Sequence, residues 1–75
     1  MSTTRYNKKG GKMVNGKKIQ ELMTQKNILG KEMAQRIGVS EAMMSYIIRG
    51  LREPNVATLV RIAKELDVTV DELVS

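Results

Sequence analysis

Gly38 separates two short stretches of sequence in which apolar residues recur at helical spacing. Before it, Met33, Ala34 and Ile37 fall on one side of a helix. After it, apolar residues repeat at i, i+3, i+4 and i+7, and these are Met44, Ile47, Ile48 and Leu51. Glycine readily adopts the positive φ that a tight turn between helices requires. The pattern therefore predicts two short helices that meet at a sharp turn and share one core.

The second of these helices has a small and polar face opposite its apolar face. That face consists of Glu41, Ala42, Ser45, Tyr46 and Arg49. Ser40 precedes the helix and is predicted to cap it. Two short helices, the second with an exposed outer face, are typical of a helix-turn-helix motif, whose second helix enters the DNA major groove.

Length and composition exclude several classes of protein. Seventy-five residues suffice for one domain, and a chain of this size buries only about 60% of the surface that it exposes when unfolded. Without cysteine or histidine the chain lacks the usual zinc ligands and any Ser–His or Cys–His nucleophile pair. No uncharged apolar stretch approaches the roughly 20 residues of a membrane-spanning helix. We therefore expect a cytoplasmic, non-enzymatic protein with no cofactor, metal, small-molecule ligand or membrane contact.

Positive charge is concentrated at the N-terminus. The net charge is +5, and the first 18 residues contain six bases and no acid. Such a cluster attracts phosphate and strengthens nucleic-acid binding without sequence preference. The same composition is typical of a solvated tail. We predict that residues 1–14 form a basic, disordered arm, and both roles remain open for it.

A separate hypothesis concerns Met13. The preceding segment, Lys9–Lys12, is what a purine-rich ribosome-binding stretch would encode if it were translated in frame. Met13 is therefore a candidate start, and a start there removes four bases and lowers the net charge from +5 to +1.

The remaining sequence predicts three further helices. Asn15 and Asn55 are placed to cap the first and the fourth helix, and Thr69 with Glu72 forms a capping box for the fifth. The fourth helix is the most apolar, and its apolar residues are Val56, Leu59, Val60, Ile62, Ala63 and Leu66. Residues 15–75 therefore predict an all-α fold, a compact five-helix bundle.

The sequence resembles the phage-repressor and Cro type of helix-turn-helix protein, the XRE family, over about residues 13–75. Ala34 and Gly38 stand at the alanine and glycine positions of its motif. The resemblance continues through Arg49-Gly50, Pro54, Thr58-Leu59, Ile62-Ala63 and Val68–Leu73. It implies a lambda-repressor-like domain over residues 15–75. The implied function is sequence-specific regulation of transcription, with repression expected, by a homodimer that binds operator double-stranded DNA through helix 3 in the major groove.

The same resemblance implies which residues contact DNA. Base contacts fall on Ser40, Glu41, Ala42, Ser45 and Tyr46, and backbone contacts on Lys31, Arg49, Arg52 and Asn55. Serine hydroxyls donate to or accept from bases, and Ala42 suits a thymine methyl group. Glu41 can accept from cytosine N4, but an acid at a helix N-terminus is also favoured by the helix dipole, and both readings stay open.

The chain departs from the family at three positions. Gly30 stands where many members have a glutamine that anchors DNA, so Lys31 is left as the positive charge at that site. Met23 and Ile48 stand where members commonly bury an arginine and a glutamate. Replacing a buried ion pair by apolar residues is often neutral or stabilising, which predicts a contact between these two side chains. The alternative is that Ile48 is partly exposed at a dimer contact, because exposed apolar groups often mark interfaces.

A different class of function also remains open. Gly30 and the acidic Glu41 favour a helix-turn-helix protein-interaction module, such as an antitoxin or an adaptor. For the homodimer, the resemblance places the contact surface around residues 66–70, after helix 4.

Overall fold

The computed structural model describes residues 14–74, which form five α-helices around one core. The helices are α1 (Gly16–Gln25), α2 (Gly30–Ile37), α3 (Glu41–Ile48), α4 (Val56–Leu66) and α5 (Val70–Leu73). The all-α fold predicted from the sequence is confirmed. The predicted arm lies outside the described residues except for Val14, and Met13 lies outside them as well.

Polar side chains cap the helices at the predicted residues. The side-chain oxygens of Asn15, Ser40 and Asn55 accept the backbone N–H three residues later, at 3.0, 3.0 and 2.8 Å. Thr69 and Glu72 cap α5 reciprocally. Each bond satisfies an N–H group that has no partner inside its helix. The starts of these four helices therefore follow directly from the sequence.

Residues in the left-handed conformation end the helices. Gly38 ends α2 with φ 77°, as predicted, while Asn27 follows α1 with φ 57° and Gly50 follows α3 with φ 78°. Asp67 ends α4 with φ 58°, although the sequence did not single it out. The turn at Gly38 directs the chain from α2 into α3, and these two helices make the most extensive contact in the fold.

The core draws apolar side chains from all five helices. Met23, Met33 and Met44 are buried, whereas Met43, next to the buried face of α3, is only half-buried. The complete core consists of Ile19, Met23, Ile28, Met33, Ala34, Ile37, Met44, Ile47, Leu59, Ile62, Ala63, Leu66 and Leu73.

Three residues predicted to face the core are exposed instead. Leu51, Val56 and Val60 are 60%, 77% and 38% exposed. Leu51 leaves the apolar row because α3 ends at Ile48 and the chain then turns back. Val56 and Val60 lie at the edge of the buried stripe of α4, about 70° and about 110° around the helix from its centre at 100° per residue.

One residue of the predicted dimer surface around residues 66–70 is inaccessible in the structure. Leu66 is fully buried, so its side chain is unavailable to a second copy. It belongs to the core because it lies on the same face of α4 as Leu59, Ile62 and Ala63.

The two ends of the described chain are joined. The Asn15 N–H donates to the Leu73 carbonyl at 2.7 Å, and Val14 pairs with Val74 in an isolated β-bridge. The Val14 N–H also lies 3.4 Å from both carboxylate oxygens of Glu53. Within residues 14–74 each helix is too short or too polar to cross a membrane.

Candidate nucleic-acid interface

The outer face of α3 is open to solvent while its inner face is fixed in the core. Met44 and Ile47 are each 1% exposed and anchor the helix. Every residue predicted to contact bases is exposed, namely Ser40, Glu41, Ala42, Ser45 and Tyr46. Tyr46, the largest of them, is 40% exposed. The structure thus presents a rigidly held row of small and polar groups suited to a groove.

The turn after α3 positions two arginines beside that face. The backbone N–H groups of Leu51 and Arg52 both donate to the Tyr46 carbonyl, at 2.8 and 3.3 Å. Arg49, the C-terminal cap residue, and Arg52 are both exposed. The folded turn therefore keeps two guanidinium groups at the C-terminal end of α3.

Asn55 has a structural role in addition to its predicted DNA contact. Its side-chain oxygen is already engaged by the Thr58 N–H in the cap of α4. The side-chain amide nitrogen of Asn55 carries two N–H donors that this hydrogen bond does not use. A phosphate contact by Asn55 therefore requires that nitrogen.

The N-terminus of α2 lacks a side-chain cap. Leu29 precedes the helix, and its own N–H donates to the Glu32 carboxylate at 3.0 Å. The first amides of a helix point outward and attract anions, and an uncapped terminus keeps them available. Exposed Lys31 adds a positive charge at the same place. This end of α2 is thus chemically suited to a phosphate oxygen.

A groove of about 360 Å³ connects these parts of the surface. It is lined by Gln20, Gly30, Lys31, Glu41, Met44, Ser45, Ile48 and Arg49. Four of the nine predicted DNA-contacting residues, Lys31, Glu41, Ser45 and Arg49, thereby share one concave surface. The other five lie outside its lining, and these are Ser40, Ala42, Tyr46, Arg52 and Asn55. Gln20 of α1 was not predicted. Its position next to buried Ile19 in the sequence does not predict a place in the groove, because only the packing of α1 brings Gln20 close to α2 and α3.

Charge in the groove is mixed. Lys31 and Arg49 contribute two positive charges and Glu41 one negative charge, so phosphate is favoured at the rim and repelled near Glu41. Elsewhere in residues 14–74, no cluster of three His, Cys, Asp or Glu residues could hold a metal ion.

Gly16 fixes α1 against α3 and was also missed in the sequence. Gly16 is buried, and a Cβ placed there would lie 2.6 Å from the Ile47 carbonyl oxygen. The N-terminus of α1 therefore approaches the last carbonyls of α3, where the opposed ends of two helix dipoles attract. This close approach helps to set the position of the recognition face.

Comparison with known families decides what this arrangement is. A sequence model of the family HTH_3, described as helix-turn-helix, matches residues 19–73. The chain belongs to the HTH_3 family. This confirms the XRE-type helix-turn-helix family predicted from the sequence, and the match spans α1 from Ile19 through α5.

Solved structures of helix-turn-helix regulators are similar to the chain. SinR in complex with DNA is 30% identical over 77% of this chain and 94% of its own, with a TM-score of 0.71. SinR is a protein of Bacillus subtilis. The P22 c2 repressor, with a synthetic operator, is 28% identical over 77% of this chain and 88% of its own, with a TM-score of 0.74.

A third similar structure is the restriction-modification controller protein C.AhdI from Aeromonas hydrophila. It is 26% identical over 77% of this chain and 88% of its own, with a TM-score of 0.72. The search of curated proteins gives no match. The repressor structures confirm the predicted lambda-repressor-like fold of this chain.

Proposed function

We propose that this HTH_3 chain is a sequence-specific DNA-binding regulator, a repressor, that binds operator DNA as a homodimer with α3 in the major groove. The observation that carries the proposal is the exposed outer face of α3, held rigidly by Met44 and Ile47 and flanked by Arg49 and Arg52. Its similarity to SinR and the P22 c2 repressor, both solved with DNA or an operator, supports the same docking. Because operator DNA of a bacterial cell lies in the cytoplasm, we place its action there.

The proposed contacts divide into base reading and positioning. Ser40, Ser45 and Tyr46 offer hydroxyl groups to base edges, Ala42 offers a methyl contact, and Glu41 accepts from cytosine N4. Lys31, Arg49, Arg52 and the amide nitrogen of Asn55 bind the sugar-phosphate backbone. The positioning contacts fix the depth and angle of α3, so the small side chains of its outer face can reach the bases.

The small size of the recognition surface supports binding as a homodimer. A single helix of eight residues reads only a few base pairs. Two copies related by a two-fold axis read two half-sites about one helical turn, or ~34 Å, apart. The dimer is then more specific than one copy, because the free-energy costs of mismatches at well-separated base pairs are nearly additive.

Selection from a randomised duplex pool at about 150 mM salt tests this function, since nonspecific attraction is partly suppressed there. We expect an enriched inverted repeat. Ser45→Ala and Tyr46→Phe should change the preferred bases, whereas Glu65→Ala, on the solvent-facing side of α4, should leave the preference unchanged. A pool without any enriched motif would contradict the proposal and favour a protein-interaction module.

A further inference from the structure

Gln20 lies in the groove that the proposed DNA-contacting residues line, although it belongs to α1 and not to the helix-turn-helix motif. Its side chain is exposed, and it shares the lining of the groove with Lys31 and Arg49. A second groove, of about 330 Å³, also contains Gln20 and Gly30 in its lining. Both grooves therefore meet where Gln20 of α1 lies beside the start of α2.

The carboxamide of Gln20 is oriented by a hydrogen bond within α1. Its side-chain nitrogen, Nε2, donates to the Thr24 hydroxyl oxygen one turn later, at 3.2 Å. A carboxamide nitrogen carries two N–H groups, so Gln20 has a second donor that this hydrogen bond does not use. A polar pair at this spacing stabilises a helix only slightly. The main effect of the bond is therefore to restrict where the carboxamide points.

The start of α2 leaves space beside this carboxamide. Gly30 is the first residue of α2, and a Cβ placed on it would meet nothing within 4 Å. The place that a side chain of residue 30 would occupy is therefore open, and it borders the two grooves that Gln20 and Gly30 both line. A ligand that enters the groove can reach the Gln20 carboxamide without displacing another side chain there.

The position of the groove along one flank of α3 indicates which part of DNA would enter it. Glu41, Ser45 and Arg49 line the groove and recur every four residues, so they form one row along the helix. Ala42 and Tyr46 form the next row, about 100° around the helix, and lie outside the lining. A helix in the major groove has a sugar-phosphate strand on each side. The groove therefore opens toward one of these strands.

We propose that Gln20, oriented by Thr24, is a further residue that binds the sugar-phosphate backbone, by donating its second Nε2 hydrogen to a phosphate oxygen. It adds a contact from α1 to those proposed for Lys31 and Arg49 in the same groove. Because the carboxamide is neutral, it contributes a directed hydrogen bond and neutralises no phosphate charge. This inference rests on the proposed function, since it names a further DNA contact of the same surface.

The salt dependence of Gln20→Ala binding tests this contact in the full chain. Fluorescence anisotropy measures its affinity for duplexes of different sequence at several salt concentrations. We expect the affinity to fall about tenfold for all duplexes alike, the order of magnitude of one hydrogen bond to a charged group. The slope of log affinity against log salt should not change, because that slope counts the phosphate charges that the protein neutralises. Gln20→Lys should instead make the slope steeper by about one.

Gln25→Ala is the matched control, because Gln25 is also an exposed glutamine of α1 but lines neither groove. This variant should bind like the wild type. Thr24→Val removes the hydroxyl that orients Gln20 and should lower the affinity roughly threefold, because a free side chain loses more rotational freedom on binding. Thr24→Ser keeps a hydroxyl and should restore wild-type affinity. The substituted residues are exposed, so melting temperatures should stay within about 4 °C of the wild type.

The same titrations separate this inference from the proposed function. A wild-type chain that binds duplex, with Gln20→Ala binding equally tightly, would overturn only the Gln20 contact. Thr24→Val that binds like the wild type would overturn the orienting role of Thr24. A wild-type chain that binds no duplex would overturn both the contact and the proposed function. A chain that loses affinity in Gln20→Ala but enriches no motif in selection would overturn only the proposed function, since a backbone contact needs no sequence preference.

Discussion

Gly16 provides a severe test of how α1 is packed against α3. The perturbation is Gly16→Ala, the addition of one methyl group at the first residue of α1. The new Cβ would lie 2.6 Å from the Ile47 carbonyl oxygen and 2.8 Å from the Ile48 carbonyl carbon, with the Ile48 oxygen closer still. These are backbone atoms, which cannot rotate out of the way as a flexible side chain can. Either α1 or the end of α3 must therefore move.

The cost can be worked from the structure. Overpacking of a filled site costs typically about 1–3 kcal/mol, and backbone neighbours favour the upper half of that range. Alanine regains at most about 1 kcal/mol of helix propensity, and less at a terminal position. We expect a net loss of roughly 1–2 kcal/mol. At about 4–8 °C per kcal/mol for a domain of this size, the melting temperature should fall by roughly 4–16 °C.

Gly30→Ala is the matched control because Gly30 is also the first residue of its helix, α2. A Cβ there meets nothing within 4 Å. Removing glycine at an unstrained position stabilises by about 0.4–1 kcal/mol, so this variant should be as stable as the wild type or slightly more stable. Thermal and urea unfolding, followed by circular dichroism, measure both variants. Equal stability of the two would refute the close packing of α1 on α3.

Three further predictions concern individual side chains. Arg52→Ala should weaken binding to all duplexes alike and reduce the slope of log affinity against log salt by about one, so an unchanged slope argues against a phosphate contact. Ser40→Ala should cost about 1 kcal/mol in urea unfolding by removing the cap on the Met43 N–H, whereas Ser40→Asp should keep the cap and lose DNA affinity. Leu73→Ala should cost about 2–5 kcal/mol because Leu73 is fully buried, and a loss below 1 kcal/mol would show that α5 is not part of the core.

Much of the fold could be predicted because local chemistry and global packing agree. Asn15, Ser40, Asn55 and Thr69 are strong capping residues, and each begins a helix in the structure. Helical spacing identified the buried faces, since a residue three or four positions from a buried one shares its side. The predicted family and its general function, DNA-binding regulation of transcription, are confirmed by the HTH_3 match.

Other features depend on where helices end and meet. In the sequence, Leu51 continues the apolar row of α3 at helical spacing. Because α3 ends at Ile48, helical spacing does not predict whether residues after Ile48 are buried. Val56 and Val60 lie at the margin of the α4 stripe, where periodicity alone does not separate edge from core. Gly16 contacts the end of α3 and Gln20 lines the groove only because α1 packs against α2 and α3. No local sequence pattern predicts that packing.

The candidate DNA contacts could be predicted only in part. Exposure of the α3 face follows from its periodicity, and all five predicted base-contacting residues are exposed. Their roles toward DNA stay predictions, as does the contact between Met23 and Ile48. Asn55 shows why the sequence does not assign one role to a side chain, because Asn55 caps α4 and is also a proposed phosphate ligand.

The most direct test of the central claim is to map the DNA-bound surface of the ¹⁵N-labelled full chain by NMR titration with the duplex enriched in selection. The account predicts the largest amide shifts at the start of α2 and from Ser40 to Arg52, with small shifts at Arg61 and Glu65 on the outer side of α4. The largest shifts on α4, with the outer face of α3 unperturbed, would contradict it.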